Sequence, residues 1–189
     1  MGVSGDLPHV CGSFYAPDDE CWRYQPTSDE WKRTSRIGRV VDRAASAYHE
    51  DWGIIMSGGA VGYDEVTLTT NGEDFTDLPT PVPEEDYYYC VAAIDANRIF
   101  ITGLGDDQDN TYMYDKATDQ WDDTLPKMPT GRAGMGCGVV TNEDNEMSVV
   151  VFGGSYDGFV YLDTVEIYSV GDKSWKTGKL LKRFPNSTL

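Results

Sequence analysis

Apolar residues in this chain fall in short runs and never keep a helical spacing. Pairs of runs joined by a polar turn recur three times. They are residues 44–48 and 53–56 around His49-Glu50-Asp51, 87–94 and 98–102 around Asp95-Ala96-Asn97, and 136–140 and 147–152 around Thr141-Asn142-Glu143-Asp144-Asn145. Short runs rich in β-branched residues and bounded by Asn, Asp and Gly signal hairpins, here strands A and B of a repeated unit. A glycine closes each B run, at Gly12, Gly58, Gly103 and Gly153, in steps of 46, 45 and 50. An alternating strand C follows, with Val66 and Leu68, Tyr112 and Tyr114, or Val165 and Ile167 ahead of Tyr168. Strand D carries an aromatic residue: Trp31, Phe75, Trp121 or Trp175. Seven positions separate Tyr24 from Trp31, Leu68 from Phe75, Tyr114 from Trp121 and Tyr168 from Trp175. With no sustained 3.6-residue period, helix content should be close to nil.

Four-stranded units of roughly 45–50 residues predict an all-β fold, a β-propeller of about four blades of antiparallel strands. The repeats cover residues 7–185, as a partial repeat at 7–34 and repeats at 43–80, 86–129 and 132–180. The first is incomplete, because His9-Val10-Cys11-Gly12 supplies strand B and nothing supplies strand A. Two closures stay open: a piece of a larger ring, or a small ring whose first blade is completed by the C-terminal residues. Proline-punctuated connectors follow strand D, at Leu78-Pro79 with Pro83, Leu125-Pro126 with Pro129, and Phe184-Pro185. Proline there limits edge pairing and stiffens the link to the next unit.

A strand ending in a glycine doublet (Gly58-Gly59, Gly153-Gly154), the Tyr-x(6)-Trp spacing and the Leu-Pro-x-Met-Pro connector at 125–129 together resemble the kelch repeat. Single glycines at Gly12 and Gly103 depart from that pattern. Cys11-Gly12, Cys21-Trp22 and Tyr24, with Tyr89-Cys90 and Gly136-Cys137, more narrowly resemble exported invertebrate kelch proteins. The resemblance implies that the tyrosines and tryptophans are blade-to-blade core, their polar tips finding backbone partners. It places Arg43 and Arg132 at the start of strand A, where a structural role is expected before a ligand-binding one. Some kelch-like propellers are copper oxidases, which need two histidines, tyrosine ligands and a thioether-linked cysteine. The only histidines here, His9 and His49, fall on opposite faces by strand alternation, so no copper or other cofactor is expected.

Four cysteines are present, none in a CxxC pair, so a zinc or thioredoxin-type site is not expected. The repeat register sets Cys11 and Cys21 on neighbouring strands of unit one, where they can face each other and bond. Cys90 and Cys137 fall at corresponding places on strand A of adjacent blades, where a bond would staple the two. Disulfides imply an oxidising, extracellular compartment, while free buried cysteines are the competing reading. Residues 2–10 lack the basic start and apolar centre of a signal peptide. Asn186-Ser187-Thr188 is a glycosylation sequon near the chain end.

The net charge is −17, from 32 acidic against 15 basic residues. That field repels nucleic acid and anionic membrane surfaces, and no apolar run is long enough for membrane insertion. Catalytic signatures such as GxSxG, HExxH and the P-loop are missing, so the chain is expected not to be an enzyme. The B–C and D–A loops share one face, and the B–C loops hold Asp18, Asp19, Glu20, Asp64, Glu65, Asp106, Asp107, Asp109 and Asp157. Loops on a rigid scaffold carry binding. The expected function is therefore a protein-interaction module whose acidic face receives a partner with a basic surface. The alternative is a carbohydrate-binding or enzymatic propeller using the same face, with Tyr87, Tyr88, Tyr89 and Trp22 as stacking groups.

Overall fold

The structure, a computed structural model, describes residues 2–4, 7–12, 19–40, 43–58 and 64–178. Asp18, Gly59, Phe184-Pro185 and the sequon at 186–188 lie outside them. The described chain is all-β, and its main body is four antiparallel sheets of four strands each. Sheet one holds β1 (Gly2–Ser4), β2 (Leu7–Cys11), β3 (Glu20–Gln25) and β4 (Glu30–Arg36). Sheet two holds β5 (Ala45–His49), β6 (Gly53–Ser57), β7 (Val66–Thr69) and β8 (Thr76–Asp77). Sheet three holds β9 (Cys90–Asp95), β10 (Arg98–Leu104), β11 (Asn110–Asp115) and β12 (Gln120–Asp122). Sheet four holds β13 (Gly136–Thr141), β14 (Met147–Phe152), β17 (Val165–Ser169) and β18 (Ser174–Thr177). A separate two-stranded ribbon, β15 (Ser155–Tyr156) with β16 (Val160–Tyr161), projects between β14 and β17. It lengthens the stretch from Gly153 to Tyr168 to 15 positions, against 11 from Gly103 to Tyr114.

Each sheet is a meander, and the first strands of the sheets run side by side. β9 lies between β5 and β13, and β5 lies beside β1. No contact joins β13 back to β1 among the described residues, so no closed ring is seen. The expected absence of strand A from unit one is corrected: β1 pairs with β2 through Gly2 opposite His9 and Ser4 opposite Leu7.

Packing explains why sheet three reads as nearly continuous apolar sequence. Alternate residues of a strand point to opposite faces, and both faces of this sheet are covered. Val91, Ala93, Ile99, Ile101, Tyr112 and Tyr114 pack toward sheet two, against Trp52, Ile55 and Val66. Ala92, Ile94, Phe100 and Met113 pack toward sheet four, against Val149, Val151 and Tyr168. Complete burial of a side chain such as Ile99 or Phe100 contributes about 1.5–3 kcal/mol. The connectors fill the seams, with Leu78 and Val82 in one and Leu125 and Met128 in the other.

The recurring tyrosine and tryptophan are sheet-to-sheet core in units three and four. Tyr114 and Tyr168 lie opposite Trp121 and Trp175 on their ladders, and each pair faces the preceding sheet. The indoles donate to connector carbonyls, Trp121 to Thr80 at 3.1 Å and Trp175 to Pro126 at 2.9 Å. Unit two departs from the expected spacing. Leu68 pairs with Ile55 and Thr76 and faces sheet three, and Thr69 is the residue opposite Ile54. The apparent match of Leu68 with Phe75 is thus one residue out of register, which on a strand means the wrong face.

All four register glycines have positive φ, from 66° at Gly153 to 97° at Gly103. At Gly103 the ladder between β10 and β11 shifts by one residue. A Cβ there would also meet the Met135 side chain, so both backbone and space require glycine.

Both expected cysteine pairs are bonded. Cys11 and Cys21 are ladder partners with Cα atoms 4.2 Å apart. Cys90 and Cys137 join β9 to β13 with Cα atoms 6.1 Å apart, a staple between sheets three and four. Two disulfides are compatible with an extracellular protein.

Candidate functional site

The mouth formed by the starts of the first strands has a repeated backbone geometry. Arg43, Tyr88 and Gly134 have φ of 54°, 64° and 66°. The Tyr88 amide donates to the Arg43 carbonyl at 3.2 Å, and the Gly134 amide to the Tyr88 carbonyl at 2.7 Å. Three successive units are thereby linked in series at one rim. Left-handed backbone at the non-glycine residues Arg43 and Tyr88 costs on the order of 1 kcal/mol each, and such strain often marks functional positions. The rings of Tyr87 and Tyr88 meet edge to face at 5.1 Å, and the Arg43 guanidinium lies 5.3 Å and 5.9 Å from their centroids.

Arg132, expected at an equivalent place to Arg43, does different work. Its guanidinium is fully buried, donates to the carbonyls of Gly153 and Thr164 at 3.1 Å each, and pairs with Glu166 at 3.2 Å. Burial lowers its pKa, opposed by the Glu166 charge. The matching residue in unit two is Arg39, which donates to the Gly58 carbonyl at 3.3 Å and lies 3.1 Å from Glu65. The structural role expected of Arg132 is what its contacts describe.

Beside Tyr88 opens a cleft of about 530 Å³ lined by Tyr87, Tyr88, Gln108, Gly154, Ser155 and Tyr161. Backbone bonds between Ala133 and Ser155 fasten the β15–β16 ribbon to this rim. Its apolar side chains point into solvent: Phe159 is 87% exposed and Tyr161 84%, with Val160 and Tyr156 also exposed. Among the residues that the sequence reading missed, this ribbon is the largest feature. Asp86, next to Tyr87, is another; burial raises its carboxyl pKa, aided by the charges of Glu84 and Asp106 and opposed by the Tyr87 amide. Neither has a repeat partner by which a periodic pattern would find it.

The acidic loop residues divide into two kinds. Asp19 lies 3.6 Å from Arg36, Glu20 pairs with Arg33 at 2.7 Å and Arg36 at 3.4 Å, and Glu65 pairs with Arg39. Asp109 takes a bond from Lys127 at 2.8 Å, and its carbonyl accepts from Met128. The Asp64 carbonyl accepts from Val82. Asp106, Asp107 and Asp157 are exposed, on the β10–β11 loop and the ribbon. Of the expected stacking residues, Tyr87 and Tyr88 line the cleft. Tyr89 is buried against Ser57 at 2.8 Å, and Trp22 lies on the outer face of sheet one.

The histidines are far from a shared site. His9 is buried, with its Nδ1 3.0 Å from the Leu7 carbonyl, and His49 Nδ1 accepts from the Asp51 amide at 3.2 Å. All four cysteines are in disulfides. A copper set of two histidines and a thioether-forming cysteine does not fit these residues, and no group of three or more metal-ligating side chains occurs among the described residues.

No family model matches the chain. Two curated galactose oxidases of Gibberella zeae are each 29% identical to it over 176 residues, covering 86% of this chain and 24% of the relative. The chain thus spans about a quarter of the length of the curated relatives it matches. Those relatives are enzymes by name, and this corrects the expectation that the chain is not one.

Proposed function

We propose that the chain is a stretch of four kelch-type propeller blades whose B–C/D–A face recognises a protein partner through the β15–β16 ribbon and its acidic surroundings. The observation that carries this reading is the solvent-facing Phe159 and Tyr161 on a ribbon fastened to the rim. Exposed aromatic patches with a polar border mark interaction sites, and aromatic anchors dominate interface energetics. Exposed Asp106, Asp107 and Asp157 favour a partner with a basic rim, acting mainly on association rate. Four-stranded meanders with adjacent first strands support the propeller, and so does the similarity to galactose oxidase, since some kelch-like propellers are oxidases. A photocrosslinker at Phe159 tests the reading. The expected result is one captured protein, lost in Asp106→Lys/Asp107→Lys and retained in Asp144→Lys on the opposite turns. Capture indifferent to both changes removes the loop face from consideration.

A second reading, a sugar-binding or sugar-converting site, is favoured by the cleft itself. Tyr87, Tyr88 and Tyr161 offer ring faces, Gln108 and Ser155 offer hydrogen bonds, and the named relatives act on galactose. Galactose binding and oxidation, each compared between the chain and Tyr88→Ala, test it. Neither activity in the unaltered chain would sink it.

A further inference from the structure

The seam between sheets three and four and the seam between sheets two and three follow one plan and close differently. At the former, Phe100 packs on Tyr168 and Trp175, with ring centroids 4.9 Å and 6.1 Å away, and Val170 is buried in the same cluster. Lys173 then reaches across from the β17–β18 turn to Asp122 of sheet three at 2.9 Å. That seam is filled by apolar groups and latched by an ion pair.

At the seam between sheets two and three each of these positions is changed. Ile55, three residues before Gly58, replaces Phe100, three before Gly103. Lys116, two residues after Tyr114, replaces Val170, two after Tyr168. Asp119, five after Tyr114, replaces Lys173, five after Tyr168. What stays open is a cavity of about 580 Å³ on the side of the A–B and C–D turns, away from the B–C loops. Its walls belong to sheets two and three with their turns and connector, so it is complete within the chain whatever adjoins sheets one and four.

The floor of this cavity is apolar, from Trp52, Leu68, Leu78 and Tyr114. The Trp52 ring is fixed by its N–H bond to the Asp95 carbonyl at 2.7 Å and by Tyr114, edge to face at 6.3 Å. The rim is acidic, with Asp51, Asp74 and Asp77 on one side and Asp119 on the other. Among the described residues no lysine or arginine pairs with these carboxylates, and only His49 comes near, 3.5 Å from Asp51. The Lys116 ammonium lies 4.2 Å from the Trp52 ring centroid and on none of them. A cation is attracted to the face of an indole, so the chain itself shows an alkylammonium seated on this floor. The rim still lacks the cation that Lys173 supplies at the next seam.

We infer that the cavity binds a small aliphatic polyamine. Its methylene segments lie along Leu68, Leu78 and Tyr114, one ammonium takes the Trp52 face in place of Lys116, and the others meet the acidic rim. The volume suits a small-molecule site, which spans about 300–1,000 Å³, and a cleft lined by one sign of charge concentrates counter-ions. An organic cation fits better than a metal ion, because the carboxylates are spread around an apolar floor and no group of three ligating side chains converges among the described residues. The site lies on the opposite side of the sheets from the loop face and stands apart from whatever that face binds.

Isothermal titration calorimetry of the full chain with spermidine at physiological salt tests this, with Mg²⁺ as the comparison. The expected result is saturable binding of one spermidine per chain that Mg²⁺ does not reproduce. Asp74→Asn and Asp119→Asn should each weaken it by about 10-fold. Asp106→Asn/Asp107→Asn, which removes more charge from the far loop, should change it by less than about 2-fold. Lys116→Met should tighten it by about 5-fold or more, because the tethered competitor is gone. A gain in affinity cannot come from a variant that fails to fold, so that arm guards the two losses. Absence of saturable binding overturns the inference. Binding that Mg²⁺ matches, or that Asp106→Asn/Asp107→Asn weakens equally, also overturns it, since that marks condensation on a chain of net charge −17. Unchanged or weaker binding in Lys116→Met does the same, because the lysine is then no stand-in for a ligand.

Discussion

Arg132 lies 3.2 Å from Glu166, and neither side chain has any exposure to solvent. The guanidinium also holds the carbonyls of Gly153 and Thr164, which brackets the entire excursion that carries the β15–β16 ribbon. The ion pair therefore fixes the base of the candidate recognition element. Its second Glu166 oxygen has no partner among the described residues, so it depends on the arginine for compensation.

Arg132→Met is expected to lower unfolding free energy by about 3–5 kcal/mol, because it strands a buried carboxylate. Arg132→Met combined with Glu166→Leu should recover much of that loss, since the charge and its desolvation go together. Urea denaturation of the three proteins measures both. Equal losses in single and double variants would show that the carbonyl contacts, and not the charge pair, supply the stability.

How far the sequence disclosed all this depended on whether a residue had counterparts in other units. Tyr114, Trp121, Tyr168 and Trp175 recur at one spacing and occupy equivalent positions. Leu68 shares the spacing without the register, because the seam between sheets one and two is filled by other residues. Gly72 there lies against the His9 ring, and Arg23 reaches Glu73. The cysteine pairs followed from the same register. The site was less legible. Arg43 and Arg132 look alike in sequence, yet one sits in a left-handed backbone beside tyrosines and the other is locked between carbonyls. The ribbon at 155–161 occurs once, and only tertiary contacts through Ala133 reveal where it points.

Reduction should act unequally on the two disulfides. Cys90 and Cys137 are 47 residues apart and join two sheets, whereas Cys11 and Cys21 are 10 apart within one hairpin. A longer closed loop restricts the unfolded chain more. Cys90→Ser/Cys137→Ser is expected to cost roughly 3–4 kcal/mol, about 1 kcal/mol more than Cys11→Ser/Cys21→Ser. Thermal or urea unfolding ranks them, and alkylation without reductant should label no cysteine.

His9 links stability to pH. Burial lowers its pKa from 6.5, the Arg23 charge adds to that, and the Leu7 carbonyl opposes it. The unfolded chain takes up the proton near 6.5 and the folded chain only at lower pH, so the unfolded state binds more protons in between. Stability is full above that value and falls as pH drops through it. His9→Gln should flatten the slope of urea midpoints between about pH 7 and 5. Below that window Asp122, held at about 2 by bonds from Thr124 and Lys173, adds a loss as it protonates. An unchanged slope in His9→Gln would assign the upper titration elsewhere.

The turn between β17 and β18 contains a defect that a single change should repair. Tyr24 donates its hydroxyl to Asp29 at 2.5 Å and Tyr114 to Asp119 at 2.6 Å, each five residues on. In unit four that position is Lys173, and the buried Tyr168 hydroxyl has no partner among the described residues. All three turn residues have positive φ, 55°, 54° and 48° in order, which asparagine tolerates better than lysine. Lys173→Asn should therefore give Tyr168 an acceptor and relieve the backbone together. It also removes the exposed bond from Lys173 to Asp122, a loss of at most about 1 kcal/mol. Satisfying a buried hydroxyl recovers about 1–3 kcal/mol, so the net expectation is a gain of about 1 kcal/mol, read as a higher urea midpoint at unchanged slope. Tyr168→Phe supplies the control. It should be near neutral alone and should cancel the hydrogen-bond part of the gain in the double variant, and persistence of the whole gain would trace it to backbone alone.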